Sequence, residues 1–376
     1  MKITGIRSYI VSRPASESKW VFLKLLTDEG IEGAGECSNY SYREHTMVRL
    51  MQELGAQYVI GSDPFRIEDL TRRLYSGIHD YRHSGMIETP VISAFEMACW
   101  DIVGKALGQP IYNLLGGACH EKLRAYSGLP YRHGASPEEC AAEAVKLVEQ
   151  GVTAFKFDPL GPKFPNPRNL SLKELRYIES VFGAVRKAVG DECDIGLGSH
   201  GQCSPFSAIR LAKRLEQFDL FWYEEPVPPE NVDEMARVAH AINIPVAAGE
   251  RRLTKFEFVD LLQKRAAAIL QLDVSHCGGI LEAKKIAGMA EAHYAMIAPH
   301  LAYGPVAAAA AVQLGTCSPN FLIQEGGVTW SGFRAELVKE PILWEKGYVT
   351  PPSRPGLGVE LDEKVLAKYA IATAQN

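Results

Sequence analysis

Apolar and polar positions along the 376 residues fall into two textures. Ile3 to Val11 alternates roughly, and Val21 to Leu26 is joined to Ile31–Ala34 by Thr27-Asp28-Glu29-Gly30, a turn whose glycine suits positive φ. Helical patterns follow at about 43–60, 65–76 and 89–107. The last opens on Thr89-Pro90 and stops at Gly108, the usual start and stop signals. This first stretch reads as an α+β module.

From about residue 122 short apolar runs, each ending in a polar or charged residue, alternate with helical stretches. The runs are Leu123–Leu129, Ala154–Asp158, Asp194–His200, Leu220–Glu225, Val246–Glu250, Ile269–Asp273, Met296–His300 and Phe321–Glu325. Apolar on both faces, they suit strands buried between a barrel interior and an outer helix layer. Eight such strands with helices between them predict a parallel α/β barrel. From His200 to Glu224 is 24 residues, then 26 to Glu250, 23 to Asp273, 27 to His300 and 25 to Glu325. A polar residue thus recurs at the C-terminal end of successive strands, the rim where barrel enzymes place their chemistry. One acid at a strand end is ordinarily a helix cap or a solvated loop residue. Six polar residues in phase, some in apolar settings such as Ala247-Ala248-Gly249-Glu250 and Ile297-Ala298-Pro299-His300, point to a site.

Composition narrows the classes. Hydrophobic content of 47% with 23% charged residues fits a globular protein, and a net charge of −5 gives no electrostatic reason to expect nucleic acid or anionic membrane as partner. Eight cysteines without a Cys-x-x-Cys pair read as small core residues of a reducing compartment. Met1 to Arg7 shows no apolar signal core, and the most apolar stretch, Val306 to Leu314, is too short to span a bilayer. These readings predict a cytoplasmic protein.

Several motifs then carry a family likeness: Trp100-Asp101-Ile102-Val103-Gly104-Lys105, Leu114-Leu115-Gly116-Gly117, Glu224-Glu225-Pro226, Ala248-Gly249-Glu250-Arg251, Ile269 through His276, Ala298-Pro299-His300 and Pro355 through Glu360. Over essentially its whole length the chain resembles the enolase superfamily, within its mandelate racemase subgroup, and most closely the acid-sugar dehydratases of the galactonate type. The resemblance implies a modified (β/α)7β TIM barrel with an α+β capping domain. Residues 1–121 would form the cap, 122–330 the barrel, and 331–376 a segment returning to the cap. Cap loops near Trp20 and at Ser38–Tyr42, with Tyr40 among them, would close over the substrate and set specificity.

The chemistry such enzymes perform demands these residue types. A carbon acid next to an ionised carboxylate resists deprotonation because a second negative charge develops. A Mg²⁺ held by carboxylates can carry that charge as a Lewis acid. Glu224 and Glu250 resemble two of the family's metal ligands, with an ion pair to Arg251 or Arg252 as the alternative for either. His300 resembles the base and Asp273 the partner that fixes its tautomer and raises its basicity. His200 matches the acid that expels a β-hydroxyl across the site from His300. Glu325 matches a glutamate that bonds the substrate carboxylate or enolate in its protonated form. Lys156 and Asp158 occupy the second-strand place where racemases carry Lys-x-Lys; aspartate at the second position removes the lysine base and favours elimination over racemisation.

One family feature is absent. The first metal-ligand position, two residues before the histidine, is Gly198. This leaves three arrangements open: water, Asp158 or His200 completes the sphere; the ion binds only weakly and with substrate; or the metal site is lost. The expected activity is dehydration of an aldonate-type acid to a 2-keto-3-deoxy acid. An epimerase or cycloisomerase using the same half-reaction, and a catalytically silent sugar-acid binder, are the rivals. A homo-oligomer is expected by analogy alone.

Overall fold

The computed structural model describes residues 1–14, 18–39, 42–77, 85–161 and 166–375. Its N-terminal part is an antiparallel sheet of β1 (Ile3–Ser12), β2 (Lys19–Thr27) and β3 (Glu32–Cys37), followed by α1 (Glu44–Leu54), α2 (Ile67–Ser76) and α3 (Glu88–Leu107). Gly30 takes φ +77° in the β2–β3 turn, and Gly108 ends α3 at φ +64°. The helix expected at 43–60 ends its α-helical part at Leu54 and continues as a π-helical turn over Gly55–Val59. Helix α3 lies so close to β3 that a Cβ at Gly33 or Gly35 would sit 2.1 and 1.9 Å from the carbonyl oxygens of Ala98 and Ala94. Only glycine permits that approach.

After the short helix α4 (Ile111–Leu114), strands and helices alternate: β4 (Leu123–Gly128), α5 (Pro137–Glu149), β5 (Ala154–Phe157), α6 (Leu172–Val189), β6 (Asp194–Gly198), α7 (Pro205–Leu215) and β7 (Trp222–Glu224). Then come α8 (Val232–Ala241), β8 (Val246–Ala248), α9 (Thr254–Gln263), β9 (Ile269–Leu270), α10 (Ile280–Ala292), β10 (Met296–Ile297), α11 (Pro305–Thr316) and β11 (Gln324–Glu325). Each barrel strand pairs in parallel with the next from β4 to β10. Phe321 bridges to Ile297 while Gln324 and Glu325 pair with Ala125 and Tyr126, which closes the ring. This is the modified (β/α)7β barrel. A hairpin of β12 (Trp344–Glu345) and β13 (Tyr348–Val349) adds to the N-terminal end of β4, and β14 (Ala370–Gln375) returns to pair with β1.

Buried carboxylates join cap to barrel. Glu36 of β3 accepts the backbone N–H groups of Gly304 at 2.6 Å and Ala307 at 2.9 Å, at the start of α11. Glu96 of α3 accepts those of Ile280 and Leu281 at the start of α10. Helix N-termini carry unpaired N–H groups and a partial positive charge, so an acid is the fitting partner. Burial pushes both carboxyls up to about 7 against those bonds. Asp101 accepts from Ala34 and Leu357 and pairs with Lys105, which gives the Trp100–Lys105 motif a structural role. All eight cysteines are free, and only Cys119 is exposed. Among the described residues no helix is long and apolar enough to cross a membrane.

Candidate active site

Side chains on alternate residues of each barrel strand point inward, and they build the site in layers. Tyr126, Ala154, Trp222, Ile269, Ala298 and Ile323 pack together as an interior floor. Trp222 reaches across it: a Cβ at Gly196 would lie 2.9 Å from the indole, and Tyr126 meets the indole edge-on at 5.0 Å. Two residues farther along their strands stand Lys156, Glu224, Gln271, His300 and Glu325, lifted by the strand period of two onto the rim.

Two histidine–aspartate pairs face each other across this rim. His300 Nδ1 lies 2.7 Å from Asp273 Oδ2, while Asp273 Oδ1 accepts the N–H and hydroxyl of Ser275 at 2.8 and 2.6 Å. His200 Nδ1 lies 2.8 Å from Asp158 Oδ2, and Asp158 Oδ1 accepts the N–H of Leu160 at 3.0 Å. Each aspartate is thus pinned by the backbone two residues on and orients an imidazole with its other oxygen. His200 has φ +49°, a left-handed conformation costly for a side chain of this size. Ser199, donating to the carbonyls of Glu224 and Glu225, and Gly201, donating to Glu225, hold that turn against the end of β7.

His300 Nε2 faces Glu250 at 3.7 Å and Glu325 at 4.0 Å. Burial opposes charge on the ring, but Glu250, Glu325 and Asp273 outweigh it and lift His300 to about 10. The substrate-free imidazole is therefore a cation, and it accepts a proton only in its minor neutral form. The carboxylates that hold that proton also make the neutral ring a strong base. Burial pushes Glu250 and Glu325 upward, yet neighbouring His300 and Lys156 hold both below the usual carboxylate range, Glu325 at about 2. Glu325 is therefore ionised here, not protonated as the resemblance implies, because two cations flank it and Leu301 donates its N–H at 2.7 Å. Glu225, next to Glu224 in sequence, pairs with Arg251 at 2.8 Å.

Glu224 is buried and spoken for. Lys156 Nζ lies 2.5 Å from its Oε1, while the Trp222 indole N–H, at 3.1 Å, and the Gln271 amide donate to Oε2. Lys156 also pairs with Glu325 at 3.3 Å. Magnesium demands near-octahedral hard oxygen ligands at about 2.0–2.1 Å. With glycine at 198, an ammonium on Glu224 and His200 turned to Asp158, the donors placed here do not fit such an ion.

A cleft of about 460 Å³ opens beside Glu325 and is lined by Trp20, Arg13, Leu301, Phe333 and Arg334. Trp20 stacks on Phe333 at 5.4 Å and lies under the Arg13 guanidinium at 5.1 Å. The structure thus brings Lys156, Asp158, His200, Glu224, Glu250, Asp273, His300 and Glu325 to one rim and Trp20 to the cleft beside it. Tyr40 lies outside the described residues. Asp158, expected to bind substrate, is engaged with His200. Gln271 and Trp222 were not singled out in the sequence, although each stands two residues before a residue that was.

Residues 9–116 match the mandelate racemase / muconate lactonizing enzyme N-terminal domain, and residues 139–365 match the enolase C-terminal domain-like family. D-Galactonate dehydratase of Ralstonia nicotianae is 37% identical, the match covering 97% of this chain and 94% of that protein. The enzyme of the same name from Variovorax paradoxus is also 37% identical, covering 97% and 93%. Among solved structures, a mandelate racemase/muconate lactonizing enzyme from Burkholderia SAR-1 superposes with TM-score 0.95 at 47% identity, over 98% of this chain and 94% of that one. One from Labrenzia alexandrii gives TM-score 0.95 at 43% identity, over 99% and 96%.

Proposed function

The chain belongs to the mandelate racemase/muconate lactonizing enzyme family, and on that premise we propose that it is an acid-sugar dehydratase, a hydro-lyase acting on an aldonate-type carboxylate. The observation that carries the reading is the pair of histidine–aspartate dyads facing one rim. His300 Nε2 takes the proton from the carbon next to the substrate carboxylate, and the electron pair moves into an enediolate. His200 then gives a proton to the 3-hydroxyl as the C3–O bond breaks, and water leaves. The enol tautomerises to a 2-keto-3-deoxy acid.

The dyads divide the labour by position. Asp273 keeps a proton on Nδ1 of His300, so Nε2 is the nitrogen that exchanges protons with carbon. Asp158 does the same for His200, which makes it a positioning residue for the acid. Lys156 and the rim carboxylates set the charge around the enediolate, and Trp20 lines the cleft that would take the sugar. The homo-oligomer expected from the resemblance rests on that resemblance alone.

The test is a panel of acid sugars incubated with the enzyme in D₂O, followed by keto-acid detection and NMR of the α-position. A keto acid with one water lost supports the reading. The dyads on facing walls also favour a second reading, epimerisation, in which His200 returns a proton to the same carbon. That would give a stereochemically inverted acid with solvent deuterium and no keto acid. Binding with neither product would leave a silent binder.

A further inference from the structure

We propose that the ammonium of Lys156 is the resident cation of this site and stands in for a divalent metal in stabilising the enediolate. The inference rests on the dehydratase reading for its reaction, but on this chain's own geometry for the cation.

Two observations converge. A Cβ built at Gly198 would lie 3.6 Å from both Cγ and Cδ of Lys156 and 3.5 Å from the Phe157 carbonyl. The lysine stem therefore runs beside the place a first-ligand carboxylate would occupy, and nothing steric demands the glycine. At the other end, Lys156 Nζ contacts Glu224 at 2.5 Å and Glu325 at 3.3 Å, the carboxylates of strands β7 and β11. A metal on Glu224 would need the oxygen the ammonium already holds, while Trp222 and Gln271 occupy the other.

An ammonium can do this work. It has three N–H donors, and two carboxylates engage two of them. The side chain keeps 13% of its surface exposed, enough for a substrate carboxylate oxygen to meet the third. Held by two carboxylates, it needs little reorganisation as negative charge develops, the property that makes fixed donors effective at developing oxyanions. Paired with Glu224 at 2.5 Å and Glu325 at 3.3 Å, the nitrogen has two anionic partners for an ammonium charge.

The test compares wild type, Lys156→Met, Lys156→Arg and the double variant Lys156→Met/Gly198→Asp. Mg²⁺ alone is titrated into each by calorimetry, and α-proton exchange of an accepted aldonate is followed in D₂O with and without EDTA. Wild type should show no Mg²⁺ binding heat and should exchange equally in EDTA. Lys156→Met should lose about 10²–10³-fold in exchange, the scale of removing one oxyanion donor. Lys156→Arg should recover part of that loss, and the double variant should acquire Mg²⁺ binding. Wild-type exchange that EDTA stops and Mg²⁺ restores would overturn the proposal, as would a folded Lys156→Met that exchanges at the wild-type rate. Should Lys156→Met not fold, the wild-type EDTA arm and Lys156→Arg decide. If no aldonate exchanges at all, the dehydratase reading fails by itself, and the titrations still judge the lysine: saturable Mg²⁺ binding to wild type refutes it, and binding only in the double variant upholds it.

Discussion

Glutamate 36 offers a prediction whose size and sign both follow from the structure. Its fully buried carboxylate accepts the N–H groups of Gly304 and Ala307, and burial lifts its pKa from 4.5 to about 7. A group with a raised folded pKa contributes stability that is fully present below its unfolded pKa and is lost as pH rises through the folded one. For Glu36 the window runs from about 4.5 to about 7. At about 1.4 kcal/mol per pH unit, the contribution lost across it is roughly 3 kcal/mol. Glu36→Gln cannot titrate, so it escapes that loss, although its NH₂ group must face one of the two backbone donors. The substitution should therefore cost about 3 kcal/mol more at pH 5 than at pH 8. Urea unfolding of both proteins at the two pH values measures the difference directly. An equal cost at both would refute the reasoning, since it would mean that Glu36 does not change protonation in that window. Because Gly304 begins α11 only four residues after His300, loosening this junction should also lower turnover without altering the dyads themselves.

Three further outcomes are expected. His300→Asn should abolish exchange of the substrate α-proton in D₂O while leaving circular dichroism unchanged; persistence at the wild-type rate would remove His300 as base. Asp158→Asn should disorient His200 and slow keto-acid formation by ~10²-fold, the low end of a general acid's contribution, while α-exchange continues; parallel loss of both would make the step concerted. Gly196→Ala should destabilise the protein by about 1–3 kcal/mol, the usual penalty for overpacking, because the added methyl meets the Trp222 indole at 2.9 Å; an unchanged thermal midpoint would contradict the packed floor.

Much of this arrangement was legible in the sequence because strand period and strand length are local properties. The eight apolar runs are the eight barrel strands, and the residues at their ends share one rim. The pairings on that rim were not legible, because they depend on register and on the width of the barrel. Lys156 lies opposite Gly196 in the β5–β6 ladder, which puts Asp158 within reach of His200; no local pattern announces that offset. The Lys156–Glu224 pair spans the interior between strands that are not neighbours. Glu36 and Glu96 gave no signal either, since their partners are helix N-termini 268 and 184 residues away. Gln271 and Trp222 could have been found by extending the alternation two residues back from Asp273 and Glu224.

The placement of the two dyads has a stereochemical consequence. In a ring of eight strands, β6 and β10 lie four apart, as do β5 and β9, so the proposed acid His200 and proposed base His300 approach from diametrically opposed walls. A substrate held between them loses its α-proton toward one wall and its hydroxyl toward the other. The departures are anti, and they select between diastereomers before any sugar hydroxyl is read. With the carboxylate and the chain beyond C3 held in one pose, only one configuration at C3, for a given configuration at C2, presents hydrogen to His300 and oxygen to His200 together. The C3 epimer, seated in the same pose, turns its hydroxyl away from the acid and is left as an exchanging but undehydrated ligand.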